Sequence, residues 1–288
     1  MSSKAQYGVA RVLWLRSAWL CGACLLLLAC AREPTKPQLP RYDLTFDGGS
    51  TILETPVDSP QVQVVMQDTA DLYYITWSPD GRRVAFTREY WNGGTAYYRV
   101  LTYNMTDGTE RVLTQGPDDS FEPAWSPDGA QIAYLSRPQG GGDATLRIIS
   151  ADGTNDHALG VVGYYVRPPR WSPDGTQLAA TRNDLMVVIV DAATGLVVRA
   201  VASGMSPTWS PDGRHLAFVG SSITIIDVDG SNAKVTPFIG YELAWSPDGD
   251  WIAFNAIGEY VMSPGATDST RIRELAPGGG EPAWRLRQ

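Results

Sequence analysis

Any chemistry in this chain has to come from carboxylates, because other reactive side chains are scarce. Glu122, Glu242 and Glu281 each stand three residues ahead of a tryptophan, Trp125, Trp245 and Trp284. Tyr74, Pro168 and Ser206 hold the same offset before Trp77, Trp171 and Trp209, and one residue earlier lie Tyr73, Phe121, Arg167, Met205 and Tyr241. Matched carboxylates of this kind suit a basic loop or peptide, or, joined by histidines, a small ligand or a hydrolytic centre. The histidines are His157 and His215. His215 takes a place held elsewhere by Arg83, Gln131, Gln177 and Trp251, which marks a surface position, and His157 follows an Asp-Gly turn. There is no G-x-S-x-G elbow and no phosphate or dinucleotide fingerprint. The stretch from Asp227 to Asn232 begins like a calcium loop but lacks the distal Glu and falls between two apolar runs, so it reads as a hairpin turn. No catalytic residue, metal or cofactor is expected.

Charge narrows the partners. The formal net charge is −8, and the first thirty residues carry three basic residues and no acid. Without them the body has 20 basic against 31 acidic residues, a net of −11, which repels phosphate backbones and excludes a nucleic-acid partner. The three cysteines, Cys21, Cys24 and Cys30, all lie in that first segment, so the body holds no disulfide framework and no cysteine metal site.

The same segment reads as an address. Lys4, Arg11 and Arg16 precede a fourteen-residue apolar run, 17–30. That is short of the roughly 20 residues a spanning helix needs, and it fits a secretory signal. Its end, Leu27-Leu28-Ala29-Cys30, resembles the bacterial lipobox. The resemblance implies a signal peptide over 1–29, cleavage before Cys30 and acylation of its thiol. Residues 30–41, rich in proline, then form a stiff tether.

The elements that must position the carboxylates are repeats. WSPDG occurs at 77–81, 125–129, 171–175, 209–213 and 245–249. Each copy is followed by short apolar runs separated by glycine turns, the pattern of about four antiparallel strands per unit of roughly 40 residues. The motif itself reads as architecture. Pro presets φ, Asp tolerates the next turn position, and Gly accepts a left-handed backbone. Trp77, Trp125, Trp171, Trp209, Trp245 and Trp284 are sized to fill the space between units, each with one N–H to donate. These repeats resemble those of the TolB family of WD-like β-propellers over about residues 70–288.

The fold expected is all-β: a six-bladed β-propeller of four-stranded antiparallel blades over 42–288. Trp284 sits in repeat register, but its unit has only a first strand, around 281–286, so the last blade is shared with strands near Tyr42–Phe46, Thr51–Thr55 and Gln61–Gln67. In a propeller the first strand of each blade lines the central channel. The ring Glu122, Glu242, Glu281, with Arg167, Tyr241 and Phe121 beside it, is then a partner-binding channel mouth. The TolB resemblance implies a non-enzymatic, monomeric interaction scaffold with a protein or peptide partner. It would be lipid-anchored at Cys30, in the outer membrane facing the periplasm. TolB proteins carry an α/β domain ahead of the propeller, and residues 31–70 are too short and Pro-rich to be one. The alternative expectation is a small-ligand-binding or hydrolytic propeller using an acidic channel.

Overall fold

The computed structural model describes residues 42–56, 61–159, 167–265, 272–277 and 280–286. The signal peptide, Cys30 and the tether lie outside the described residues. Three strands come first: β1 (Tyr42–Asp47), β2 (Thr51–Pro56) and β3 (Gln63–Gln67). Blade I is β4 (Leu72–Trp77), β5 (Arg83–Asn92), β6 (Thr95–Asn104) and β7 (Glu110–Val112). Blade II is β8 (Asp119–Trp125), β9 (Gln131–Arg137), β10 (Thr145–Ser150) and β11 (His157–Ala158). Blade III is β12 (Arg170–Trp171), β13 (Gln177–Thr181), β14 (Met186–Asp191) and β15 (Val197–Ser203). Blade IV is β16 (Met205–Trp209), β17 (His215–Val219), β18 (Ile223–Asp227) and β19 (Lys234–Val235). Blade V is β20 (Tyr241–Trp245), β21 (Ile252–Asn255), β22 (Gly258–Met262) and β23 (Ile272–Pro277).

The final strand, β24 (Ala283–Leu286), closes the ring. It pairs antiparallel with β1, Thr45 opposite Ala283 and Tyr42 opposite Leu286, and the sheet order β24-β1-β2-β3 makes blade VI. The fold is therefore the six-bladed propeller with its last blade shared by both ends of the chain. The stretch from Asp227 to Asn232 is the turn between β18 and β19.

Each seam between neighbouring blades holds its own apolar core. Leu178, Ala180, Val188 and Val190 of blade III face Phe121, Leu135 and Leu146 of blade II. Ala179, Val187 and Ile189, the alternate residues of the same strands, face Trp209, Leu216 and Phe218 of blade IV. The middle strands are thus buried on both faces. That is why they read as near-continuous apolar runs, while period-2 alternation decides only which seam a side chain enters. Ala85, Ala133, Ala179, Ala217 and Ala253 recur at one position of β5, β9, β13, β17 and β21, all fully buried, and keep the facing sheets close.

The repeat pentapeptide is a hydrogen-bonded turn. In all five copies Ser Oγ donates to the Asp Oδ1 two residues on at 2.6 Å. It also accepts the backbone N–H five residues on at 2.9 Å. The same Asp oxygen accepts the N–H of the residue after the glycine, at 3.0 to 3.1 Å. The Trp indoles stitch one blade to the one before. Trp171, Trp209 and Trp284 Nε1 donate to Ala124 O, Arg170 O and Ala244 O. Trp77 reaches the matching carbonyl through a relay, Nε1 to Thr45 Oγ1 and that hydroxyl to Ala283 O. Trp245 turns instead to Gly249 O of its own blade. Trp125 has no such acceptor among the described residues, but Arg83 stacks over its ring 4.5 Å from the centroid.

Candidate partner-binding channel

The first strands of the blades carry a built irregularity. Tyr74, Glu122, Ser206 and Glu242 have φ of 56°, 61°, 51° and 47°, a left-handed backbone that non-glycine residues adopt at a cost. At each, the pairing of the first strand with the second slips between the residue four before the Trp and the residue one before it. These are β-bulges, which re-aim a side chain away from the pleat. Blade III reaches the ring differently. Pro168 and Pro169 offer no N–H to a ladder, so β12 begins only at Arg170 and Arg167 rides on a bend. In blade VI, Glu281 N donates to Asp47 Oδ1 at 2.6 Å. Gly280 is required there, since a Cβ on it would lie 1.8 Å from the same oxygen.

These devices bring side chains from all six blades toward the axis. Glu122 is 0% exposed and Glu281 5%. Arg167 Nη1 lies 3.3 Å from Glu242 Oε1, and Ser206 Oγ donates to Glu242 Oε2 at 3.4 Å. Among the described residues neither carboxylate oxygen of Glu122 has a donor in good hydrogen-bond geometry, nor does Glu281 Oε1, although the Tyr74 hydroxyl is close enough to Glu122 to favour its ionised form. Burial is the main force raising the Glu122 carboxyl well above the usual carboxylate range. The charge of Glu242 adds to it, and Arg167 and Arg170 oppose it. Glu281 is raised in the same way, by burial first and then by Glu242 and Glu122. Burial and the same three carboxylates also push up the Tyr74 hydroxyl.

A second buried carboxyl flanks the ring. Glu259 in β22 is pushed up to about 8, chiefly by burial and further by Asp47, while Asn255 Nδ2, donating to it at 3.2 Å, pulls the other way. Burial raises Asp47 as well.

The rim on this side is aromatic and acidic. Tyr241 is 54% exposed. Tyr73 contacts Tyr74 and Tyr98, with ring centroids 6.2 and 6.4 Å apart. The Tyr98 hydroxyl donates to Glu89 Oε1 at 3.1 Å. The β5–β6 hairpin runs past the start of β4, which ends its pairing at Leu72–Arg88, and so projects beyond the rim. Near its tip Trp91 is 67% exposed and Tyr90 stacks on Tyr97. On blade V the β21–β22 hairpin presents Ile257, 92% exposed. The opposite mouth, at the WSPDG turns, is a cavity of about 460 Å³ lined by the six repeat Trp, the prolines that follow five of them, and Arg170.

The expected site residues separate on this geometry. Glu122, Glu242, Glu281 and Arg167 converge, and Tyr241 stands on the rim. Phe121 does not line the mouth: it is 4% exposed in the seam between blades II and III, under Arg137 at 5.1 Å. The bulge that turns Glu122 to the axis leaves the preceding side chain facing the seam. Arg170, Asp47 and Glu259 are additions. Arg170 stands where Thr76, Ala124, Thr208, Ala244 and Ala283 occupy the other blades, a departure visible in the repeat. Glu259 stands where blade IV has Ile223, each opposite the last residue of the preceding strand. Asp47 carried no signal before blade VI was assembled.

Closed seams, one per pair of blades, and WSPDG turns at one mouth define a six-bladed β-propeller of the repeat type. No protein-family model matches the chain, and no curated protein matches it by sequence. Similar solved structures include TolB from Acinetobacter baumannii, 20% identical at a TM-score of 0.68, covering 85% of this chain and 66% of that one. A putative TolB from Agrobacterium tumefaciens is 19% identical at 0.63, covering 83% and 90%. A chain of a nidogen/laminin complex is 11% identical at 0.68, covering 86% and 99%. The chain thus spans just under two thirds of the Acinetobacter protein. At these identities the likeness is one of fold.

Proposed function

We propose that this chain is a non-enzymatic interaction scaffold of the bacterial cell envelope, lipid-anchored at Cys30, whose acidic channel mouth takes a protein or peptide partner. The carrying observation is the convergence of Glu122, Glu242 and Glu281 with Arg167 on the axis, beneath a rim of exposed aromatic and apolar side chains. Aromatic anchors around a desolvated charged centre are the arrangement of a protein-binding hot spot. The TolB propellers and the propeller found in a complex with laminin support a partner of this kind. The apolar run ending in Leu-Ala-Cys supports the anchor, and the reading puts the anchored propeller on the outer membrane facing the periplasm.

The raised carboxyls favour a second reading, a channel that binds or hydrolyses a small ligand. Against it, neither histidine joins the ring, since His215 Nδ1 pairs with Asp227 and His157 Nδ1 with Asn155 O, and the cavity of about 460 Å³ at the other mouth is lined by Trp and Pro. Replacing all three Glu with Gln tests the scaffold reading. Affinity capture from envelope extracts should lose its specific partners with the triple variant. Recovery of the same partners would show that the acidic ring is not the site.

A further inference from the structure

The centre of the ring has more acceptor capacity than it uses. Glu122 is fully buried, and neither of its oxygens nor Glu281 Oε1 has a donor in good hydrogen-bond geometry among the described residues; only the Tyr74 hydroxyl leans toward Glu122, and Glu281 meets the like-charged Glu242. A buried acceptor without a donor costs about 1–3 kcal/mol, more when charged, so the arrangement favours a donor that arrives from outside. The cation nearest the mouth is already one of the right chemistry. Arg167 is bonded to Glu242, and it reaches the axis from a bend that Pro168 and Pro169 keep out of the β12 ladder. Around it the rim presents Tyr73 and Tyr241, with faces suited to a cation, and the acids Asp71 and Glu89.

We propose that the channel receives one basic side chain of the partner, an arginine guanidinium or lysine ammonium, on Glu122, Glu242 and Glu281, and that Arg167 holds this place in the free protein. The proposal rests on the reading of this mouth as the partner site. A guanidinium, with five donors in a planar fork, can satisfy the open oxygens of Glu122 and Glu281 together. Entry displaces Arg167 from Glu242 toward solvent, so Arg167 acts as an internal competitor. The groups facing Glu122 and Glu281 are Tyr74 of blade I, Arg167 and Arg170 of blade III, Glu242 of blade V and Asp47 of blade VI. Burial raises both the Glu122 and the Glu281 carboxyl, so a cation that favours their ionised form gains affinity as pH rises.

The test uses acetylated and amidated pentapeptides with a central arginine, lysine or citrulline between glycines, titrated into the full propeller by calorimetry at pH 5.5 and 8. Citrulline keeps the shape and removes the charge. The arginine and lysine peptides should bind at least tenfold more tightly than the citrulline peptide, and more tightly at pH 8. Arg167→Gln should tighten arginine-peptide binding several-fold, and Glu122→Gln with Glu281→Gln should abolish it. Equal binding of the citrulline peptide, or an Arg167→Gln variant that binds no better, overturns the proposal. Capture from envelope extracts separates this failure from a wider one. Partners lost with Tyr241→Ala and Trp91→Ala but retained with the Glu variants refute the cation pocket and keep the face as the docking site. Partners unaffected by either set refute both.

Discussion

At the residue scale the repeat divides its labour in a way its letters only partly disclose. The turn roles of Pro, Asp and Gly follow from their backbone preferences. The serine between Trp and Pro does not announce itself, because a hydroxyl is common on any surface. In the fold it is buried and forms the hinge of three hydrogen bonds: Ser126 Oγ donates to Asp128 Oδ1 and accepts Gln131 N, and that Asp oxygen closes on Ala130 N. Ser126→Ala leaves the part-buried Gln131 N–H without its acceptor and frees the aspartate, and should cost about 1–3 kcal/mol in a urea titration. A smaller effect, within ~0.5 kcal/mol, would mean the turn is held by Pro and Gly alone. The carboxylate ring was legible in height but not in depth. Equal offsets from Trp place three Glu at one level, whereas their burial follows from the bulges, which no spacing reveals. Phe121 shows the same limit, since the bulge at Glu122 sends it to the seam.

At the scale of elements, closure depends on a four-residue strand. β24 supplies the innermost strand of blade VI, pairing with β1 through Thr45–Ala283 to Tyr42–Leu286. It also gives Trp284 to the seam with blade V and the acceptor carbonyl of Ala283 to the Trp77 relay. Trp284 in repeat register made this closure readable from the sequence, and β1, β2 and β3 fall within a few residues of the runs expected. Removing residues 281–288 should open the ring, exposing the edge of β1 and the Leu44 seam. Size-exclusion chromatography with thermal unfolding checks this. A truncated chain that stays monomeric with an unchanged midpoint would contradict it. The shortening of β12 was not anticipated, although Pro168-Pro169 contains its cause.

At the scale of the whole molecule, two opposed sets of carboxyls shape the pH dependence of stability. The turn aspartates Asp80, Asp128, Asp174 and Asp212 are held below their ordinary range, first by the serine hydroxyl. Their contribution is present above the unfolded pKa near 4 and is lost as pH falls further. Glu122, Glu281 and Glu259 are raised, so the folded protein retains protons that the unfolded chain has released. Their contribution is complete below about pH 4.5 and declines as pH rises, through about 8 for Glu259. Stability should therefore peak in mildly acidic solution and decline toward pH 8.5. Denaturant midpoints across pH 4–9 measure this, and Glu259→Gln should flatten the alkaline limb. A profile that rises monotonically to pH 8.5 would contradict the raised carboxyls of Glu122, Glu281 and Glu259. This behaviour was invisible in a formal charge count, which treats every carboxylate as ionised.

The two mouths of the channel differ in chemistry, Trp and Pro at one and carboxylates beneath an aromatic rim at the other, and the second is the proposed seat of the partner. The most direct test is photocrosslinking in intact envelopes, with a crosslinking side chain placed at Tyr241 on the acidic rim or at Pro127 on the turn face. Mass spectrometry should find specific adducts from position 241, few from position 127, and loss of the former when Glu122, Glu242 and Glu281 are all Gln. Adducts that arise chiefly from position 127, or that survive the three substitutions unchanged, would contradict the assignment.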